Sequence, residues 1–160
     1  KLNMNTERLS LYTEDGKRSV MMYRPSKKIK VPAGTYRLYK YQALKNDEQG
    51  DQWRLCAWAT TESPFVTVDR KGEVALEFGE PYLAIVNVIH PRAGRSRVLI
   101  AFEIEGKGKE SLTDLSHISG DKTQIPLSEE EDLGHRPKEP TYKIVKADGE
   151  VVTQGSFEYG

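Results

Sequence analysis

Apolar and polar positions alternate along most of this chain, and a period of two residues marks half-buried β-strands rather than helices. The clearest case is Arg97 to Glu105. Val98, Ile100, Phe102 and Ile104 fall on one face; Arg97, Leu99, Ala101, Glu103 and Glu105 fall on the other. Residues 82–89, from Tyr82 to Ile89, are apolar on both faces apart from Asn87, which predicts a central strand of a sandwich. The stretch 90–96 between these two reads as a hairpin loop. Leu9 to Tyr12 and Ser19 to Tyr23 flank an Asp15-Gly16 turn, a strong hairpin signal. Thr35 to Ala43 is a tyrosine-rich strand entered from Pro32-Ala33-Gly34, and Trp53 to Ala59 returns as its partner after the polar turn 45–51. Phe65 to Val68 and Val74 to Phe78 are expected to pair around the turn 69–72. The last nineteen residues form a further hairpin around Asp148-Gly149, ending flush at Tyr159-Gly160 as a strand cut from a longer protein would.

Short strands at this spacing, roughly a dozen of them, predict an all-β fold of sandwich type. Residues 106–140 break the pattern. They are rich in Gly, Ser, Asp, Glu and Pro, and read as one long connection holding a single short strand or helical turn. A boundary falls at Gly79-Glu80-Pro81, which divides the chain into two small antiparallel β-sandwich modules in tandem, 1–80 and 81–160. An echo between Val66–Val74 and Ile144–Val151 adds weak support for duplication, because hairpins converge on such strings.

Charge and composition narrow the function classes. Lys plus Arg and Asp plus Glu each number 24, so the chain has no net charge and lacks the basic excess of a dedicated nucleic-acid binder. The single cysteine, Cys56, excludes an intrachain disulfide framework and a cysteine-built zinc site. No run approaches the ~20 apolar residues of a membrane helix. The chain starts at Lys1 rather than Met, which leaves room for a removed signal peptide.

Candidate chemistry is sparse. His90, His117 and His135 sit in turn or loop sequence without metal-ligand spacing. Ser116-His117 with Ser119-Gly120-Asp121 brings the three residue types of a triad close in sequence, but neighbours rarely face one another productively. Asn46 to Asp51 offers oxygen ligands in a tight turn, yet its glycine does not register with an EF-hand loop. The acidic run Ser128 to Asp132 reads as a hydrated loop. No metal and no cofactor are expected. Arg92 and Arg95, with Arg97 and His90, gather at one hairpin tip as a possible anion patch.

The strongest surface candidate is aromatic. Strict alternation puts Tyr36 and Leu38 on one face of their strand and Arg37, Tyr39 and Tyr41 on the other. On the partner strand, Trp53, Leu55 and Ala57 oppose Arg54, Cys56 and Trp58. Both faces carry rings, and an isolated sandwich buries only one. Tyr39, Tyr41 and Trp58 are therefore the expected contact residues for a protein or glycan partner.

Two segments resemble known families. Lys28 to Leu38, with its Val31-Pro32-Ala33-Gly34-Thr35-Tyr36 core, resembles the strand entry of transthyretin-like and carboxypeptidase-regulatory-like β modules. Ala147 to Gly160 resembles the final hairpin of immunoglobulin-like modules in uncharacterised exported bacterial proteins. These likenesses imply a transthyretin-like first module, an immunoglobulin-like second one and a non-catalytic role. The expectation is an accessory or interaction unit of an exported, periplasmic or cell-envelope protein, with Tyr39, Tyr41, Trp58, Arg92 and Arg95 at the contact. The rival readings are a hydrolase with its site under 106–140, using Asp114, His117, Asp121 or His135, and a purely structural spacer.

Overall fold

The computed structural model describes residues 5–89, 99–118 and 137–158. Among these the chain forms ten strands and no helix, as the alternation predicts. They are β1 (Asn5–Thr13), β2 (Ser19–Tyr23), β3 (Gly34–Asn46), β4 (Gln52–Ala59), β5 (Phe65–Val68), β6 (Leu83–Ile89), β7 (Leu99–Glu105), β8 (Glu110–His117), β9 (Thr141–Val145) and β10 (Val151–Ser156). The main sheet runs β2-β1-β3-β4-β8-β7-β6, with β5 added to β3, and β9-β10 form a separate two-stranded sheet. The chain divides into two compact units: Lys1–Ile85 with Glu103–Arg136, and Val86–Phe102 with Pro137–Gly160.

In the first unit β3 is the axis. Its residues 36–44 pair antiparallel with β1; on the other side residues 34–37 pair with β5 and residues 40–46 with β4. The turns that return these strands are built as their sequences suggest. Gly16 has φ +68°, a left-handed value that a Cβ disfavours, and the Asp15 carboxylate accepts the Lys17 N–H and the Thr13 hydroxyl. At the β3–β4 turn, the Asp47 carboxylate accepts the Gln49 and Asp51 N–H groups and the Trp53 indole N–H. The indole bond, ahead of the backbone ones, holds the Asp47 carboxyl below its ordinary value. Those oxygens serve the turn.

Among the described strands of the first unit, three extra residues break strict alternation, each a β-bulge. Glu7 is extra on β1, Tyr39 on β3 and Thr113 on β8. A bulge shifts the strand's parity, so inward residues on either side stand three apart instead of two. Thr6 and Leu9, Leu38 and Tyr41, and Leu112 and Leu115 are such pairs. The Glu7 bulge is clamped by Arg24, whose N–H donates to the Glu7 carbonyl at 2.7 Å and whose guanidinium meets the Glu7 carboxylate at 3.1 Å.

The inner face carries the core: Leu9, Leu11, Tyr36, Leu38, Tyr41, Ala43 and Ala57. Ile29, Val31, Leu76 and Phe78 pack against it from segments outside any strand. The expected strand Val74 to Phe78 is one of these. Its Leu76 and Phe78 pack against the core, while β5 pairs with the start of β3 and the 74–78 backbone joins no strand. Residues 82–89 are likewise not central: β6 ends the sheet path, and Leu83, Val86, Val88 and Ile89 are exposed. Within 106–140, residues 110–117 form an eight-residue strand between β4 and β7.

The second unit has its own aromatic contacts. Phe157 stacks on Phe102 at 5.3 Å and packs on Tyr142 at 5.1 Å. Its backbone N–H donates to the Pro140 carbonyl. The β9–β10 turn closes as expected, with Gly149 at φ +90° and its N–H donating to the Lys146 carbonyl.

Candidate interaction surface

The register of β2, β1, β3, β4 and β5 assigns every outward side chain a row across the sheet. One row is Tyr23, Arg8, Gln42, Cys56 and Asp114; the next is Met21, Ser10, Lys40, Trp58 and Ser111; the third is Ser19, Tyr12, Arg37 and Phe65. Tyr39, the bulge residue, stands between the second and third rows. Its ring meets Tyr12 edge-on at 5.7 Å and Trp58 edge-on at 5.1 Å. The Arg37 guanidinium lies over both Tyr12 (5.0 Å) and Phe65 (4.7 Å), Lys40 lies over Trp58 (4.5 Å), and Arg8 lies over Tyr23 (5.5 Å). Phe65, Arg37, Tyr12, Tyr39, Trp58 and Lys40 thus form one chain of contacts and Arg8 on Tyr23 a separate pair, each contact of a type that contributes on the order of 0.5–1 kcal/mol at exposed sites.

The bulge has two effects at once. It turns Tyr39 outward, 46% exposed, and returns Tyr41 to the inner face, where it is 0% exposed. The expected row of Tyr39, Tyr41 and Trp58 is therefore corrected: Tyr39 and Trp58 touch on the outer face, while Tyr41 lies in the core. Reversed parity after an inserted residue is the cause. Arg92 and Arg95, with Arg97, His90, His135, Asp121 and the acidic run 128–132, lie outside the described residues. Arg37 stands on the face that alternation gives it, and the structure adds Arg8, Tyr12, Met21, Tyr23 and Phe65, which alternation does not single out. The sequence signal is that aromatic or basic residues recur at outward positions of β1, β2 and β3, but only the register shows that they adjoin.

Cys56 also faces outward, yet its neighbours bury it. Gln42 donates to its sulfur at 3.3 Å, and burial pushes its thiol above the ordinary value. Asp114 and His117 of the rival hydrolase reading stand on opposite faces of β8. Asp114 is opposite Cys56; His117 is opposite Trp53, ring to ring at 5.1 Å, with its Nε2 3.8 Å from the Asp51 carboxylate.

A second polar cluster lies inside the unit. Glu110 is 0% exposed. Its Oε1 accepts the Gly79 N–H, while Oε2 has no hydrogen bond. Burial raises its carboxyl pKa, outweighing the backbone N–H groups of Gly79, Glu110 and Gly108, which favour the ionised form. The Tyr41 and Tyr82 hydroxyls are 3.0 Å apart, and burial raises both phenols as well. A Cβ on Gly106 would stand 2.1 Å from Glu110 Oε1, so the chain reaches this carboxylate closely only as glycine. Its hydrogen bond ties the 106–110 turn to Gly79. Among the described residues no group of His, Cys, Asp and Glu is arranged to hold a metal, and no helix is long and apolar enough to cross a membrane.

Comparison with known proteins finds no matching family model, no matching curated protein and no matching solved structure.

Proposed function

We propose that this chain is a non-catalytic interaction module, in the manner of accessory units of exported or cell-envelope proteins, and that it contacts a protein or glycan through the outer face of the β2-β1-β3-β4 sheet. The observation that carries the reading is the Tyr12–Tyr39–Trp58 ring chain flanked by Arg37 and Lys40. Aromatic and arginine side chains are enriched where partners bind, because they offer large rigid contact area with a polar edge. Two β-sandwich modules in tandem, transthyretin-like then immunoglobulin-like, belong to the same reading, as does an exported location. Peptide and glycan arrays probed with the wild-type chain and with a Tyr39→Ser/Trp58→Ala variant test it. Binding lost in a variant that keeps its melting transition supports the assignment. Binding that survives in the variant, or an array on which the wild type binds nothing, refutes it.

A further inference from the structure

Several cations of the first unit sit against carboxylates. Arg24 meets Glu7, Lys28 meets Glu73, Lys107 meets Glu77 and Lys109 meets Glu105, all at 3.1 Å or less. Arg8 and Arg37 have no carboxylate partner among the described residues. Arg8 donates to the Met21 sulfur at 3.1 Å, a weak acceptor, and lies over Tyr23. Arg37 donates to the Tyr12 hydroxyl and is held between the Tyr12 and Phe65 rings, with its Nε buried and without an acceptor. Charge without a counterion, fixed in place by rings, is complementary to an anionic ligand.

We propose that this face binds an acidic segment of a protein partner, with two carboxylates held by Arg8 and Arg37. The inference rests on the interaction reading above and names its partner class. Three features select a polypeptide. First, Tyr, Phe, Met and Arg dominate the exposed part of the face, with Tyr23 65% and Met21 50% exposed, which is the composition of a protein–protein interface core. Second, Tyr12, Phe65 and Tyr23 each already carry a guanidinium over the ring, whereas single-stranded nucleic acid requires ring faces open for base stacking. Third, the spacing fits. Arg37 is opposite Tyr12 in register, four residues along β1 from Arg8, a separation of about 13 Å at ~3.3 Å per residue. An extended segment with acidic residues four apart spans the same length, and puts the residue midway between them on the same side, above the Met21–Ser10–Lys40 row.

The test is fluorescence anisotropy on the full chain, with a labelled peptide whose two glutamates are separated by serine, leucine and serine. The expected result is saturable binding that weakens as salt rises. It weakens at least tenfold when the peptide's glutamates become glutamine, and at least tenfold for Arg8→Gln/Arg37→Gln. Arg37→Lys keeps the charge but not the planar stack, and serves if the glutamine variant does not fold; an intermediate loss is expected. Equal binding of acidic and neutral peptides, unaffected by the arginine variants but abolished by Tyr39→Ser, overturns the acidic preference and leaves the interaction reading standing. Tenfold tighter binding of polygalacturonate or oligo-deoxythymidine than of the peptide overturns the protein partner. If no probe binds, acidic or neutral, both readings fall.

Discussion

Removing the Glu110 carboxylate is the sharpest test of how the first unit is held together. Glu110→Ala leaves the buried Gly79 N–H without its acceptor, a loss of roughly 1–3 kcal/mol. It also removes the buried Cγ methylene, at about 0.8 kcal/mol. Relief of the carboxyl's own desolvation offsets part of this, so the expected destabilisation is about 2 kcal/mol, a fall of roughly 6 °C in Tm for a chain of this size. Glu110→Gln keeps an acceptor and the Cγ methylene, and is expected to lose less than about 1 kcal/mol. The two variants separate packing from titration. Burial raises the folded-state pKa of Glu110 above its ordinary 4.5. The folded chain therefore binds this proton more tightly than the unfolded chain. That contribution to stability is fully present below pH 4.5 and is lost as pH rises through the folded value. Urea unfolding of wild type and Glu110→Gln at successive pH values above 4 should show the wild type losing stability relative to the variant as pH rises. Parallel curves would refute the buried-acid account, and a Glu110→Ala loss under about 1 kcal/mol would refute the Gly79 clamp.

Other consequences are as direct. Gly106→Ala forces a Cβ to 2.1 Å from Glu110 Oε1 and is expected to cost about 1–3 kcal/mol by denaturant titration, most of it recovered in the Gly106→Ala/Glu110→Ala double variant. Deleting Tyr39 removes the bulge residue and leaves Leu38 and Tyr41 two apart in their present register with β1, both still inward; the cooperative melting transition is expected to survive, and Tyr39→Thr should stay within about 1 kcal/mol. Cys56, buried with a raised thiol pKa, should react with iodoacetamide at pH 8 far more slowly than in urea-unfolded chain, as followed by mass spectrometry.

Much of the fold was legible in residue order. The Asp15-Gly16 and Asp148-Gly149 turns, the polar turn after β3 and the β1–β2 and β9–β10 hairpins all depend on neighbours within a few positions. β8 was not legible. Its inward leucines, Leu112 and Leu115, stand three apart across the Thr113 bulge, so the strand shows no alternation. Val74 to Phe78 shows the opposite failure, an alternating segment that packs without pairing. Of the candidate surface, Tyr39 and Trp58 were legible as outward rings, but Tyr41 was misplaced, and Arg8, Tyr12, Arg37 and Phe65 were invisible as a group.

The sequence by itself determined that this chain is all-β and where its tight hairpins turn, because period and turn chemistry act locally. Only the tertiary structure decided which face each side chain occupies beyond a bulge, since an inserted residue is defined by the strand it is paired against. That one decision, made at Tyr39 by the register with β1, buries Tyr41 beside Glu110 and Tyr82, and leaves Tyr39 outside among the arginines.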